Sequence, residues 1–127
     1  MRTRRIEQRH PFFCEQWIAS YNGLKAPGAD EFFTVQCRDI SSGGISFFTD
    51  EPLAFEMFVI RLCGAGQPKY LTARIKRTSP SSHPEHGQFV VGCKFLGTLH
   101  RAALPGGVEE AIQRREQMTI AEELAIA

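Results

Sequence analysis

No stretch of this chain is apolar for the roughly eighteen residues that a membrane-crossing helix needs, so helical insertion into a bilayer is not expected. No apolar core follows the basic start either: Glu15 and Gln16 interrupt Phe12 to Trp17, which argues against a secretory leader. Close cysteine pairs are also lacking. Cys14, Cys37, Cys63 and Cys93 stand singly in apolar or strand-like segments, without the C-x-x-C spacing of zinc frameworks. In a reducing cytosol such thiols read as small buried hydrophobes, and the cytoplasm is the expected location. Internal repeats and low-complexity tracts are missing, and so is a dominant charge: 15 Lys and Arg face 14 Asp and Glu, for a formal net charge of +1. Attraction of the whole molecule to nucleic acid or to an acidic membrane is therefore weak, and neither is expected as a partner. A catalytic constellation is lacking as well. None of His10, His83, His86 and His100 stands in a recognisable nucleophile context, so the protein is expected not to be an enzyme.

What is present fits one folded domain. At 127 residues, with 43% hydrophobic and 23% charged residues, the chain has the composition of a globular protein large enough to bury a single core. Gly, Pro, Ser and Asn divide it into short pieces rich in Phe, Val, Ile, Tyr and Thr, which predicts strands at about Phe12 to Tyr21, Glu31 to Arg38, Gly44 to Thr49, Glu56 to Cys63, Tyr70 to Ser79 and Gln88 to Leu96. Leu71, Ala73 and Ile75 alternate with Thr72, Arg74 and Lys76, and Phe58, Ile60 and Leu62 with Val59, Arg61 and Cys63, so each strand is expected to show one face to a core and one to water. Six short antiparallel strands of this kind suggest a small barrel, closed so that no edge is left unpaired.

After the last strand the pattern changes. Pro105-Gly106-Gly107 precedes Glu109 and Glu110, acidic residues suited to a helix start, and strong helix formers follow, predicting a helix from about Val108 to about Leu124. Val108, Ala111, Ile112, Met118, Ala121 and Ala125 fall roughly along one side, interrupted by Arg115. Such a stripe packs against the barrel or binds a partner.

Two clusters carry chemistry. Arg5-Ile6-Glu7-Gln8-Arg9 is R-x-x-x-R, in a cationic start that also holds Arg2 and Arg4. Asp39-Ile40-Ser41-Ser42-Gly43-Gly44 is D-x-S-x-x-G, between the second and third predicted strands. Each has an ordinary reading, the first as a solvated tail and the second as an Asx or Ser turn in a hairpin. "HPEH" at His83 to His86 has a metal-like spacing, yet its Ser/Pro/Gly-rich loop suits solvated polar residues.

An arginine pair before the first strand, followed by an Asp-Ser-Gly turn between the second and third, resembles the PilZ domain family. "LTARIKRT" in the fifth strand and "FVVGCKFLG" in the sixth, with Phe89, Gly92 and Phe95 as aromatic-x-x-Gly-x-x-Phe, extend the resemblance over roughly Arg4 to Gly97. It implies an all-β fold: a six-stranded antiparallel PilZ-like barrel over residues 12–97, a flexible basic arm over 1–11, and a linker with a C-terminal α-helix over 98–127. It also implies a receptor for the bacterial second messenger cyclic di-GMP, with no cofactor besides that ligand.

The residue chemistry suits such a ligand, which carries two phosphates and two guanines. Arg5 and Arg9 offer bidentate bonds to phosphate or to guanine O6 and N7, and their planes can stack on a purine. Asp39 accepts from the guanine N1 and N2 donors, and Ser41 offers a hydroxyl. Gly43 and Gly44, able to take φ > 0, let backbone approach a flat ring system. Arg4 beside the first motif and Gly92 in the sixth strand complete the expected site: Arg4, Arg5, Arg9, Asp39, Ser41, Gly43, Gly44 and Gly92. Binding is expected to order the arm and so alter affinity for an unidentified protein partner, with homodimerisation left open. The competing expectation is a barrel of the same kind that holds a protein partner and takes no nucleotide.

Overall fold

Turn residues and alternating apolar positions produce seven short antiparallel strands in the computed structural model, which describes residues 8–64 and 66–126. These are β1 (His10–Pro11), β2 (Glu15–Ser20), β3 (Phe33–Ile40), β4 (Gly44–Thr49), β5 (Met57–Leu62), β6 (Lys69–Pro80) and β7 (Phe89–Leu99), followed by helix α1 (Val108–Ile126). Hydrogen bonding runs in the order β3, β2, β5, β6, β7, β4, and β4 pairs back onto β3. Six strands therefore close into the expected barrel, and β1 is an addition on the edge of β3. Closure leaves no long unpaired edge among them.

The first strand departs from expectation. Instead of running unbroken from Phe12, the chain lies along β3 in two pieces, with His10 opposite Ile40, Pro11 opposite Asp39, and then Glu15 opposite Gln36. Between them the Cys14 N–H donates to the Phe12 carbonyl at 3.1 Å, a tight turn that absorbs one extra residue. The arm's last residues are thereby fixed beside the Asp39 end of β3.

Inward residues fill the barrel. Ile18, Val35, Cys37, Ile45, Phe47, Phe58, Ile60, Ala73, Val91 and Cys93 form one buried cluster, with the Phe47 and Phe58 rings meeting edge to face at 5.7 Å. Burial pushes the Cys37 and Cys93 thiols up to about 12, so neither is a thiolate at neutral pH.

The other face of β2 and β5 was expected to meet water and does not. Val59 and Arg61 are buried there beneath α1, in a second cluster of Trp17, Ala19, Phe32, Val59, Tyr70, Leu104, Val108 and Ile112. Arg61 stays charged because Glu109 receives it bidentately, from Nε at 2.8 Å and Nη2 at 2.6 Å, while the Tyr70 hydroxyl and Gln113 also donate to that carboxylate. Arg115 lies over the Trp17 ring at 4.5 Å and donates to the Ala29 and Phe32 carbonyls.

Only the first half of α1 is docked this way. Carrying the stripe of Val108, Ile112 and Glu116 onward by the helical repeat brings polar Thr119 and Glu123 to the barrel side. Met118, Ile120 and Leu124 are exposed.

Removal of the Glu109 carboxylate leaves Arg61 as an unpaired buried charge. Glu109→Ala is expected to lower stability by about 3–5 kcal/mol in urea unfolding, whereas Glu122→Ala on the exposed half changes it little. Burial raises the Glu109 carboxyl, but the bonds from Arg61, Tyr70 and Gln113 outweigh it and bring it from 4.5 down to about 2. Its folded value lies below its unfolded one, so its contribution is whole above pH 4.5 and fades as pH falls toward 2. Melting temperatures across that interval should drop in the parent protein and stay flatter in Glu109→Ala.

Candidate functional site

Strand register sets the site. Asp39 on β3 lies opposite Ser46 on β4, Ser46 opposite Gly92 on β7, and Gly92 opposite Arg77 on β6. The four residues form one row across the outside of the barrel. A second row in register runs Phe48, Val90, Ser79. Successive outward rows on a strand stand about 7 Å apart.

Each end of the first row carries a β-bulge, between Cys37 and Asp39 on β3 and between Ile75 and Arg77 on β6. A bulge places two residues against one and re-aims the side chains. Here the extra residues are Arg38 and Lys76, and both line the same groove as their neighbours Asp39 and Arg77. The groove has a volume of about 700 Å³ and is walled by Arg9, Arg38, Lys76 and Arg77, with Asp39 as the only carboxylate among its lining residues. Four permanent cations against one anion make it a trap for anionic ligands.

Asp39 holds the arm. Its Oδ1 accepts from Arg9 Nε at 2.8 Å and from the Ser46 hydroxyl at 2.8 Å, and its Oδ2 lies 3.7 Å from Arg38 Nε. Arg9 Nη1 donates to Ser41 Oγ at 3.4 Å, so one guanidinium bridges the aspartate and the serine of the D-x-S-x-x-G motif. Ser41 is largely buried, accepts from the Gly43 N–H at 3.3 Å, and closes the β3–β4 turn through its own N–H to the Gly44 carbonyl at 2.9 Å. Arg9, Asp39 and Ser41 are thus brought together, and Gly92 lines the same groove. Arg4 and Arg5 lie outside the described residues.

The glycines divide their work differently from expectation. A Cβ on Gly44 would stand 2.1 Å from the Cys93 carbonyl oxygen, so glycine is required there for β7 to pass close by. Positive φ among the described residues is confined to Gly23, Gly66, Gly87 and Gly107, so left-handed backbone is not what Gly44 supplies. Gly43 works through its backbone, its carbonyl accepting from the Phe95 N–H at 2.8 Å. Open space lies instead at Gly92, where a Cβ would meet only the Arg77 carbonyl oxygen, at 3.9 Å.

Sequence reading missed Arg38, Ser46, Lys76 and Arg77 as groove residues. Ser46 is legible as the polar member alternating with Ile45 and Phe47, whereas the bulges at Arg38 and Lys76, the second of which sets Arg77 against Gly92, leave no local mark. Among the described residues no group of three or more His, Cys, Asp or Glu is placed to hold a metal ion, and no helix is long and apolar enough to cross a membrane.

Comparison with known proteins agrees with the fold. The chain matches the family model described as PilZ domain over residues 4–104. No curated protein sequence matches it. Among solved structures, the Bacillus subtilis inhibitor of motility MotI/DgrA is similar at 17% identity and a TM-score of 0.53, over 91% of this chain and 52% of that one. MrkH, a c-di-GMP-dependent transcription regulatory factor, gives 18% identity and 0.49 over 94% of this chain and 52% of that one. The PilZ domain with c-di-GMP of YcgR from Escherichia coli gives 16% and 0.42 over 97% and 98%. This chain spans about half the length of the first two.

Two glycine substitutions separate the roles assigned above. Gly44→Ala should destabilise the barrel by about 1–3 kcal/mol or more, because a carbonyl occupies the space, while Gly92→Ala should leave the urea midpoint nearly unchanged.

Proposed function

Because this chain belongs to the PilZ domain family, we propose that its outer groove binds cyclic di-GMP and that the protein is a non-enzymatic receptor which alters its contact with a protein partner on binding. The observation that carries the reading is the convergence of Arg9, Asp39, Ser46, Gly92 and Arg77 on one side of the barrel.

The chemistry is complementary in each part. Arg9, Arg38, Lys76 and Arg77 supply cationic donors for two phosphodiesters, and the arginine planes offer stacking faces for guanine. Asp39 Oδ2 is free of the short bonds that engage Oδ1 and can accept from a guanine N1 or N2 donor. Gly92 leaves the floor bare where the ring system would cross from Ser46 toward Arg77. Arg4 and Arg5 would reach the ligand from the arm, whose last residues already run beside Asp39 through β1.

Partial exposure of the Arg9–Asp39 pair matters here. An ion pair with side chains 41% and 19% exposed contributes little to stability, about 0–1 kcal/mol, so a ligand can rearrange it cheaply. The proposed output follows: a dianion gathers the arginines of the arm onto the barrel and orders the arm, which presents a new surface to the partner. No acid, base or nucleophile is required for that role.

Isothermal titration with cyclic di-GMP should give a dissociation constant in the micromolar range, about −8 kcal/mol. Arg9→Ala and Asp39→Ala should each weaken it by roughly 10- to 100-fold, the loss of one or two charge-assisted bonds. Heat unchanged in both variants would reject this site, and absence of any heat together with retention of a protein partner would favour a barrel that does not bind nucleotide. Hydrogen exchange should show new protection within residues 2–10 on addition of the ligand, and none in Asp39→Ala.

A further inference from the structure

The "HPEH" loop finds no role in the site as described so far, yet it closes one end of the groove. Ser81 N–H donates to the Gln88 carbonyl at 2.9 Å at its base, His83 N–H to Ser81 Oγ at 2.9 Å, and His86 N–H to the His83 carbonyl at 2.9 Å. Gly87 presses the loop onto β4 so closely that a Cβ there would lie 2.8 Å from Phe48 Cβ. The loop is thus a built turn seated on the second outward row.

Its two imidazoles extend an aromatic surface. The His86 ring stands 4.8 Å from the Phe13 ring and 5.4 Å from the Phe48 ring, wedged between them. His83 is next along, 6.2 Å from His86 at 44°, with its side chain 62% exposed and lining the groove. The Glu85 carboxylate, 3.9 Å from His83 Nδ1, is the charged group beside it. Beneath lie Phe48, Val90 and Pro80, an apolar floor, while the cations gather on the neighbouring row.

The groove therefore has two halves of different chemistry, one suited to phosphates and the other to the flat face of a base. We propose that His83 is a specificity-determining residue that stacks on a purine of the bound nucleotide, selecting a ligand that carries a base at this end over one that offers phosphate alone. The inference rests on the nucleotide-binding reading above. Every base has a π-face, and stacking one on an aromatic side chain commonly raises affinity by roughly 5- to 150-fold.

The test compares cyclic di-GMP titrations of the parent protein with those of His83→Ala, His83→Phe and Arg9→Ala. Stacking predicts at least about a tenfold loss in His83→Ala and recovery to within about threefold in His83→Phe. Both substitutions sit on an exposed loop, and an unchanged melting temperature confirms that the fold is intact. Full affinity in His83→Ala, or a loss in His83→Phe as large as in His83→Ala, overturns the inference; the second result would mean that the ring nitrogen makes the contact. Should Arg9→Ala abolish binding while His83→Ala does not, the nucleotide reading stands and only this inference falls. Absence of binding by the parent protein overturns both.

Discussion

The outer groove depends on a contact in which a side chain is missing. At Gly44 a Cβ would lie 2.1 Å from the Cys93 carbonyl oxygen, so the observed pairing of β4 with β7 requires glycine there. That register puts Ser46 against Gly92, and through β3 and β6 it aligns Asp39 with Arg77. A slip of one residue would turn Ser46 inward and Phe47 outward, exchanging the polar row for the core. The motif glycine thus shapes the proposed ligand groove from within the sheet, by letting the strands that present it lie close together.

Two arginine–carboxylate pairs show how burial divides structure from function. Arg61 and Glu109 lie almost wholly out of water, and the bonds from Tyr70 and Gln113 leave that carboxylate fully satisfied. Breaking such a pair strands a charge, so the docked half of α1 is fixed. Arg9 and Asp39 make a bond of similar length, but in contact with solvent. Water makes the second pair weak and exchangeable, which is what the proposed anion-responsive arm requires.

Much of this architecture is legible in the sequence. Gly44 to Thr49 reads as a strand because β-branched and aromatic residues follow a glycine turn, and the observed β4 has those same limits. The final helix reads from its acidic first turn and its helix formers. Arg9, Asp39 and Ser41 stand out through residue type and spacing, and the structure joins all three. Other features are set by contacts distant in sequence. Val59 and Arg61 look like a water-facing row until α1 covers them from about fifty residues away. The apolar stripe of α1 reads as running to Ala125 with a break at Arg115, although only its first half meets the barrel and Met118 remains exposed. Arg38 and Lys76 line the groove as the extra residues of two bulges, one of which also sets Arg77 against Gly92, and bulges arise from the pairing of two strands. Gly44 looks like room for a ligand because a missing side chain does not say what fills its place.

Proposed ligand recognition occupies the transverse row on β3, β4, β7 and β6. Backbone amide chemical shifts recorded while cyclic di-GMP is added test it most directly. The largest changes should fall at Arg9, Asp39, Ser46, Gly92 and Arg77, while the amides of the buried Arg61 and Glu109 barely move. Changes centred on α1, or an unperturbed spectrum at saturating nucleotide, would contradict it.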